Sequence, residues 1–148
     1  MAEPTLFKNG YLAYSTATGS ATYTEVPDVK SVEMPLSKAE LANGVMGDAG
    51  EVFFHGLISA PIGATLRQSF ESGGADSALY TRWNSETKFR LKVRAVDGAA
   101  STTNPGYIFD RVGVFSITPI SGQHGVLLEN AVTFRMLSGC TVVRSTAT

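Results

Sequence analysis

The chain has 148 residues, with twelve Lys and Arg residues, thirteen Asp and Glu residues and a formal net charge of −1 at pH 7. A chain of this length can bury a core large enough for stability without disulfides or structural metal ions. The charge balance argues against a domain that holds DNA on a strongly basic surface. The single cysteine, Cys140, excludes an internal disulfide and is expected to be a small apolar filler rather than a reactive thiol. We see no apolar run long enough for a membrane span and no leader pattern, and so expect a protein made in the cytosol without a membrane partner.

The first segments are predicted to be extended. Asn9-Gly10 is the dipeptide favoured in tight turns and predicts a hairpin over Leu6 to Tyr14. Residues 15–22 are small and polar, which predicts a flexible arm. Tyr23 to Val32 is extended again, and Pro27 within it marks an edge strand or a bulge because proline cannot donate to a strand ladder. We expect this edge to be free for a partner.

The next segment is the least regular. Ser37 to Glu40 has the spacing of a helix capping box, so a turn of helix is predicted there. Glycines follow at 44, 47 and 50, and residues 37–52 are therefore predicted to form a long loop. Strands are predicted over Glu51 to Ser59 and over Ala64 to Glu71, with Leu66 and Phe70 on one face of the second.

One segment predicts a helix, from Ala75 to Trp83. Ala75, Leu79 and Trp83 are spaced i, i+4, i+8, and we expect this apolar stripe to pack on a sheet. Trp83 with Tyr80 could form a platform on which a base stacks, but the core interpretation is the better one.

The segment Thr87 to Val96 alternates strictly between polar and apolar residues, which predicts a strand with one buried face. The polar face carries Lys88, Arg90, Lys92 and Arg94, and the apolar face carries Phe89, Leu91, Val93 and Ala95. A basic ribbon invites a nucleic-acid interpretation. That face lacks interleaved aromatic or polar groups to touch bases, so a solvated or subunit-pairing face is favoured.

Two further strands are predicted over Tyr107 to Thr118 and over Gly125 to Leu137. The fold class is therefore mainly β: a β-sandwich or open barrel with one short flanking α-helix and a long inter-strand loop. We expect one domain over residues 1–148, with the arm near 15–22, the loop near 37–52 and a short C-terminal tail at 144–148.

The sequence predicts no catalytic, cofactor-binding or metal-binding residues. His55 and His124 stand far apart without a second ligand at metal spacing. Neither a nucleophile elbow nor a phosphate-binding glycine motif occurs. Asp110 and Glu129 could pair as catalytic acids, but surface charge is the better interpretation. We predict that the chain is not an enzyme and uses no cofactor.

Charge is unevenly distributed along the chain. Residues 1–51 hold seven acids and three bases, a balance of −4, and the remainder holds six acids and nine bases, a balance of +3. Opposite signs give complementary fields, so such a molecule could pair with copies of itself.

The order of these segments resembles the tail tube proteins of long non-contractile-tailed bacteriophages. The resemblance spans residues 5 to 143 and is carried by six segments in order: TYTEVPDVKSVEMP (Thr22 to Pro35), HGLISAPIGATLRQSFE (His55 to Glu71), DSALYTRW (Asp76 to Trp83), KFRLKVRAVDG (Lys88 to Gly98), YIFDRVGVFSITPISG (Tyr107 to Gly122) and GVLLENAVTFRML (Gly125 to Leu137). The chain departs from the family in the long loop, where Gly44-Val45-Met46-Gly47 stands in place of a frequent Val-Thr pair.

The resemblance implies a structural virion protein whose hexameric rings stack into a tube, the conduit for DNA ejection into the host. It implies self-association, contacts with the tape measure, terminator and distal tail proteins at the tube ends, and viral DNA passing without sequence-specific binding. The protein would reside in the phage tail, and in the host cytoplasm during assembly. A capsid decoration or head-to-tail connector protein is the alternative, and a nucleic-acid-binding module using Lys88 to Arg94 is a more distant one.

Three groups of residues follow from this interpretation. The loop predicted to reach an adjacent ring comprises Ser37, Lys38, Glu40, Asn43, Met46, Asp48 and Glu51. Candidates for lateral contacts are Glu25, Asp28, Lys30, Glu33, Arg90, Lys92 and Arg94. The predicted core of helix and strand comprises Leu79, Trp83, Phe89, Leu91 and Val93. Since a conduit must let DNA slide, we predict that the basic face points away from the lumen.

Overall fold

The computed structural model describes residues 10–15, 22–47 and 49–146. Within these ranges the chain forms β1 Tyr11–Ser15, β2 Tyr23–Glu25, β3 Val29–Glu33, β4 Ser37–Ala42, β5 Phe53–Ser59, β6 Ile62–Arg67, α1 Ala75–Ser85, β7 Phe89–Arg94, β8 Gly106–Ile117, β9 Glu129–Met136 and β10 Val142–Ser145. The predicted hairpin around Asn9, most of the predicted arm, Asp48 and the end of the predicted tail lie outside the described residues.

The main sheet is antiparallel and has the strand order β2-β1-β7-β8-β9-β6-β3, with β10 paired to β8. The long strand β8 belongs to both halves of this sheet. Its first part pairs with β10 over Gly106 to Phe109, and its second part pairs with β9 over Val112 to Ile117. The sheet thereby divides into β2-β1-β7-β8-β10 and β8-β9-β6-β3. This is the mainly β, sandwich-like architecture that the sequence predicts, with one short helix beside it.

Apolar residues from both halves form one core. Its members include Leu12, Leu91 and Phe109 from the first half, Ile62, Leu66 and Phe134 from the second, and Ala75 and Leu79 from α1. The ring of Phe89 meets the ring of Phe134 edge to face, with 6.1 Å between centroids, so the two halves touch directly through aromatic side chains. Phe89, Leu91 and Val93 all lie in this core, as their alternation predicts.

The corner between β2 and β3 joins the two ends of the sheet order. Pro27 and Asp28 form the turn, and Asp28 has a positive φ of 58°. The Val26 amide donates to the Leu12 carbonyl at 2.8 Å, and the Arg67 amide donates to the Asp28 carbonyl at 2.9 Å. Pro27 lies in this turn rather than inside an edge strand or a bulge, so the extended run predicted over Tyr23 to Val32 is two strands, β2 and β3, at the two ends of the sheet order.

The predicted helical turn at Ser37 to Glu40 is wrong, because β4 occupies these residues and pairs with β5. A capping box needs an apolar helical stripe behind it, and this segment has none. The predicted loop over 37–52 is accordingly a strand followed by a shorter connection. The strand predicted to run to Glu71 ends at Arg67, and Phe70 is 59% exposed.

Trp83 is not in the core, since it is 42% exposed. The helix continues to Ser85, and Ala75 and Leu79 are its buried residues. Each residue advances about 100° around the helix axis, so a residue eight positions later lies two full turns and about 80° further on. The i, i+8 spacing therefore takes Trp83 off the face that Ala75 presents to the sheet.

Candidate assembly surface

The hairpin formed by β4 and β5 is the most exposed part of the fold. All six residues of β4 are exposed, and so is every residue of β5 except Gly56. Its two strands approach closely at Gly56, where an added Cβ would lie 2.9 Å from the Ala39 Cβ. The Asn43 amide donates to the Val52 carbonyl at 2.9 Å and closes the pairing at the tip.

The hairpin is apolar on both faces. Leu41 lies opposite Phe54, and Ala42 lies opposite Phe53, so Phe53 and Phe54 project from different faces. The register shift between Lys38 and Glu40 marks a bulge in β5, so Phe53 shares one face with Ile58, and Leu57 lies on the other face with Leu41 and Phe54. Leu57 is 86% exposed, and Phe54 is 54% exposed. Exposed apolar patches of this kind mark interaction sites. Because each face has its own patch, the arrangement fits a hairpin held between two other surfaces.

The residues predicted for inter-ring contact lie along this hairpin. Ser37, Lys38 and Glu40 are on β4, and Asn43, Met46 and Glu51 lie in the connection between the strands. Met46 is fully exposed. The apolar residues of β5 were missed as contact residues in the sequence. The signal was present in the run Val52-Phe53-Phe54, since a strand covered on both faces shows consecutive apolar residues rather than alternation.

The residues predicted for lateral contact separate into two places. Glu25, Asp28, Lys30 and Glu33 lie on β2, β3 and the turn between them, at the ends of the sheet order. Arg90, Lys92 and Arg94 lie on β7, which is flanked by β1 and β8 and so does not form an edge. Lys30 is engaged within the chain, where its ammonium forms an ion pair with the Glu129 carboxylate.

The cations of β7 are held against their own sheet. The Arg90 Nε lies 3.4 Å from the Asp110 Oδ1, the Lys92 Nζ lies 5.3 Å from the centre of the Tyr23 ring, and the Arg94 guanidinium carbon lies 3.9 Å from the centre of the Tyr11 ring. Burial, and secondarily the charge of Arg94, lowers the pKa of Lys92. Side chains held in this way are poorly placed to reach phosphates, which weakens the nucleic-acid interpretation.

A second apolar surface lies between the end of α1 and strands β8 and β9. A bulge between Val114 and Ser116 interrupts the pairing of β8 with β9, and Phe115 within it is 53% exposed. Phe115, Trp83 and Leu137 line an open cavity of about 550 Å³, with Glu86 and Lys88 also in its lining. We refer to this cavity as the aromatic notch.

The described residues offer no catalytic grouping that the sequence had left open. Asp110 binds Arg90 and Glu129 binds Lys30, so each carboxylate has a cationic partner of its own. Three or more His, Cys, Asp or Glu side chains never gather at metal-binding distances within ranges 10–15, 22–47 and 49–146. Over the same ranges no helix is long and apolar enough to span a membrane.

Known proteins resemble this chain in structure rather than in sequence. No family model and no curated protein matches it. The tail tube of SPP1 superposes with a TM-score of 0.72 at 9% identity, covering 96% of this chain and 80% of the other. The tail of a gene transfer agent particle superposes with a TM-score of 0.66 at 13% identity, covering 90% and 95%. The baseplate structure of the anti-feeding prophage includes a chain with a TM-score of 0.60 at 6% identity, covering 97% of each. The chain therefore has the tail tube protein fold.

Proposed function

We propose that this protein is a structural, non-enzymatic subunit of a phage tail tube, which self-associates into hexameric rings that stack. The observation that carries the proposal is the β4–β5 hairpin, apolar on both faces and exposed along its length on a chain with the tail tube fold. Leaving such a hairpin in water is costly, and docking it on other copies removes both apolar faces from solvent.

Six-fold symmetry is supported by geometry. The gene transfer agent tail was refined with C6 symmetry. In the present chain the half-sheet β8-β9-β6-β3 contributes four strands, so six copies would supply about twenty-four. At about 4.8 Å spacing and about 40° tilt, such a barrel is about 50 Å across between backbones. That width admits a hydrated duplex after side chains are added.

We assign the lumen to the outward face of this half-sheet. Its central cross-strand pairs, Gly63 with Thr133 and Thr65 with Ala131, are small and uncharged, and Lys30 and Glu129 on the adjoining part neutralise each other. Arg67 and Arg135 lie at the ends of the same face. The small, uncharged middle of this face gives DNA few salt-dependent contacts that would retain it. The basic residues of β7 belong to the other half-sheet, so they would face away from the bore.

Ring closure is assigned to the sheet edges. Glu25 on β2, together with Asp28 and Glu33 near β3, places acidic groups at these edges, and Arg144 on β10 places a cation at the far side of the first half-sheet. Edge-to-edge pairing of neighbouring copies would join these charges and remove exposed strand edges. Arg90, Lys92 and Arg94 are dropped from this role because they lie inside the sheet.

Stacking is assigned to the hairpin, with Ser37, Lys38, Glu40, Asn43, Met46, Asp48 and Glu51 reaching the adjacent ring. Tape measure, terminator and distal tail proteins would contact the tube ends, and viral DNA would pass through without sequence-specific binding. The protein would be located in the virion tail after assembly in the host cytoplasm.

Negative-stain microscopy of the concentrated protein tests the proposal. Tubes of regular pitch are expected. Trimers, or rings that never stack, would instead point to the decoration or connector alternative. Deleting residues 42–48 is expected to abolish stacking, and tubes of unchanged length in that variant would show that the hairpin connection has no such role.

A further inference from the structure

Two apolar surfaces lie among those that the described residues leave exposed. One is the β4–β5 hairpin, and the other is the aromatic notch at Trp83, Phe115 and Leu137. None of the residues that line the notch belongs to the hairpin, so the described chain does not fill the notch with its own hairpin. Both surfaces are therefore exposed among the described residues.

We propose that the aromatic notch of one copy receives the β4–β5 hairpin of another copy. This inference rests on the self-association proposed above and specifies its receiving surface. Leu57, which shares one face of the hairpin with Leu41 and Phe54, would enter the notch, and the opposite face with Phe53 and Ile58 would lie on a further copy. The hairpin would then be covered on both faces.

The chemistry of the notch suits this occupant. Trp83 and Phe115 supply two aromatic walls that are 42% and 53% exposed. Buried tryptophan in a central concave pocket is characteristic of residues that dominate interface energy. At about 550 Å³ the cavity has room for several apolar side chains.

Charge complementarity favours the notch over another exposed apolar patch as the surface that receives the hairpin. Residues 37–59 carry three acids, Glu40, Asp48 and Glu51, and one base, Lys38, a balance of −2. The lining of the notch contains one acid, Glu86, and one base, Lys88, which is exposed and makes no ion pair with any other described residue. The other patch comprises Phe70, Ile120, Val126 and Leu127. Its segments, 68–74 and 118–128, contain Glu71 but no Lys or Arg. Of the two surfaces, only the notch offers a cation to the acidic hairpin.

The contact would be heterologous, because hairpin and notch are different patches of the same chain. Each copy offers one of each, so the contact repeats from copy to copy. A repeating head-to-tail contact produces closed rings or extended stacks rather than a closed dimer. This is the kind of interface that a tube requires.

Cross-linking tests the contact. In a Cys140→Ser background, Leu57→Cys is combined with Asn84→Cys beside the notch, and assembled protein is treated with a short bismaleimide. A ladder of cross-linked multimers is expected on denaturing gels. Mixing the two single-cysteine variants should give dimers only, which establishes that the link joins different copies. The matched control combines Leu57→Cys with Ser121→Cys beside the other patch and should give no ladder.

The outcomes separate the two proposals. Assembly without a ladder from the Asn84 pair, or a ladder equally strong in the Ser121 control, overturns the notch as the receiving surface while leaving tube formation standing. Failure of the unmodified protein to assemble at any concentration overturns the proposed function and the notch together.

Charge reversal gives a second readout that does not depend on cysteines. Lys88→Glu alone and Glu51→Lys alone should each raise the concentration for half-assembly by about threefold or more, and the double reversal should restore it. Additive effects in the double variant would show that these two residues do not meet.

Discussion

Replacing Leu57 by serine separates assembly from folding. Leu57 is 86% exposed on β5 and does not belong to the core cluster. Burial of Leu57 therefore contributes almost nothing to the free energy of unfolding of the monomer, and its replacement by serine should change that free energy very little. In a tube the same side chain would be withdrawn from water in every copy.

The expected magnitude follows from that exposure. Full burial of a leucine side chain is worth about 1.5–3 kcal/mol, and at 86% initial exposure nearly all of it is available on docking. Since about 1.4 kcal/mol corresponds to a tenfold change in an equilibrium constant, Leu57→Ser should raise the concentration for half-assembly by about ten- to a hundredfold. The free energy of unfolding of the monomer should change by less than about 0.5 kcal/mol.

Pelleting of assembled protein over a concentration series measures the first quantity, and urea unfolding of dilute protein measures the second. Ile120→Ser is the matched control, because Ile120 is also strongly exposed, at 77%, but lies outside the hairpin. An unchanged half-assembly concentration in Leu57→Ser would refute the reasoning. An equal shift in the control would refute the assignment of the effect to the hairpin.

Three further predictions concern the monomer. Phe89→Leu should lower the free energy of unfolding by about 1–3 kcal/mol, because it removes edge contacts with Tyr14 and Phe134 at 6.2 and 6.1 Å while keeping an apolar side chain; urea unfolding with no change would contradict this. Asn130→Ala should cost about 1–3 kcal/mol by the same assay, since buried Asn130 accepts from the Thr118 amide at 3.1 Å; a loss below about 0.5 kcal/mol would show that water replaces the amide. Burial raises the pKa of Tyr11 above 10.0, so the folded state keeps a proton that the unfolded state loses, and stability falls as pH rises through the folded pKa. Tyr11→Phe should therefore lose less stability than the unmodified protein between about pH 9 and about pH 11, and parallel declines would count against this linkage.

Local sequence patterns were sufficient to predict several elements of the fold. The alternation around Phe89 to Arg94 predicts β7 and its buried face, because a strand with one wet face leaves a period of two in the sequence. Pro27 indicates an interruption of the extended run, because proline has no amide hydrogen to donate to a ladder, and the structure has a turn there. Ala75 and Leu79 predict the buried face of α1. Each of these signals depends on neighbours along the chain.

β5 is predicted as a strand, but β4 and its pairing with β5 could not be recognised in the same way. Ser37 to Glu40 carries a helix-starting signal, and only pairing with β5 overrides it. Cross-strand contacts of this kind depend on a segment some twenty residues away, which no local propensity records. Apolar residues on both faces of β5 also remove the alternation that would indicate which face of the strand is covered.

The sequence by itself therefore determined the mainly β class, the position of the helix, the buried face of β7 and the interruption of the extended run at Pro27. Only the tertiary structure decided that Trp83 lines a notch, that β7 lies inside the sheet with its cations against Tyr11, Tyr23 and Asp110, and that Lys30 pairs with Glu129 across 99 residues of chain. The physical reason is the same in each case. Periodicity reports which side of an element is buried, whereas the partner that covers that side is chosen by packing between segments distant in the sequence.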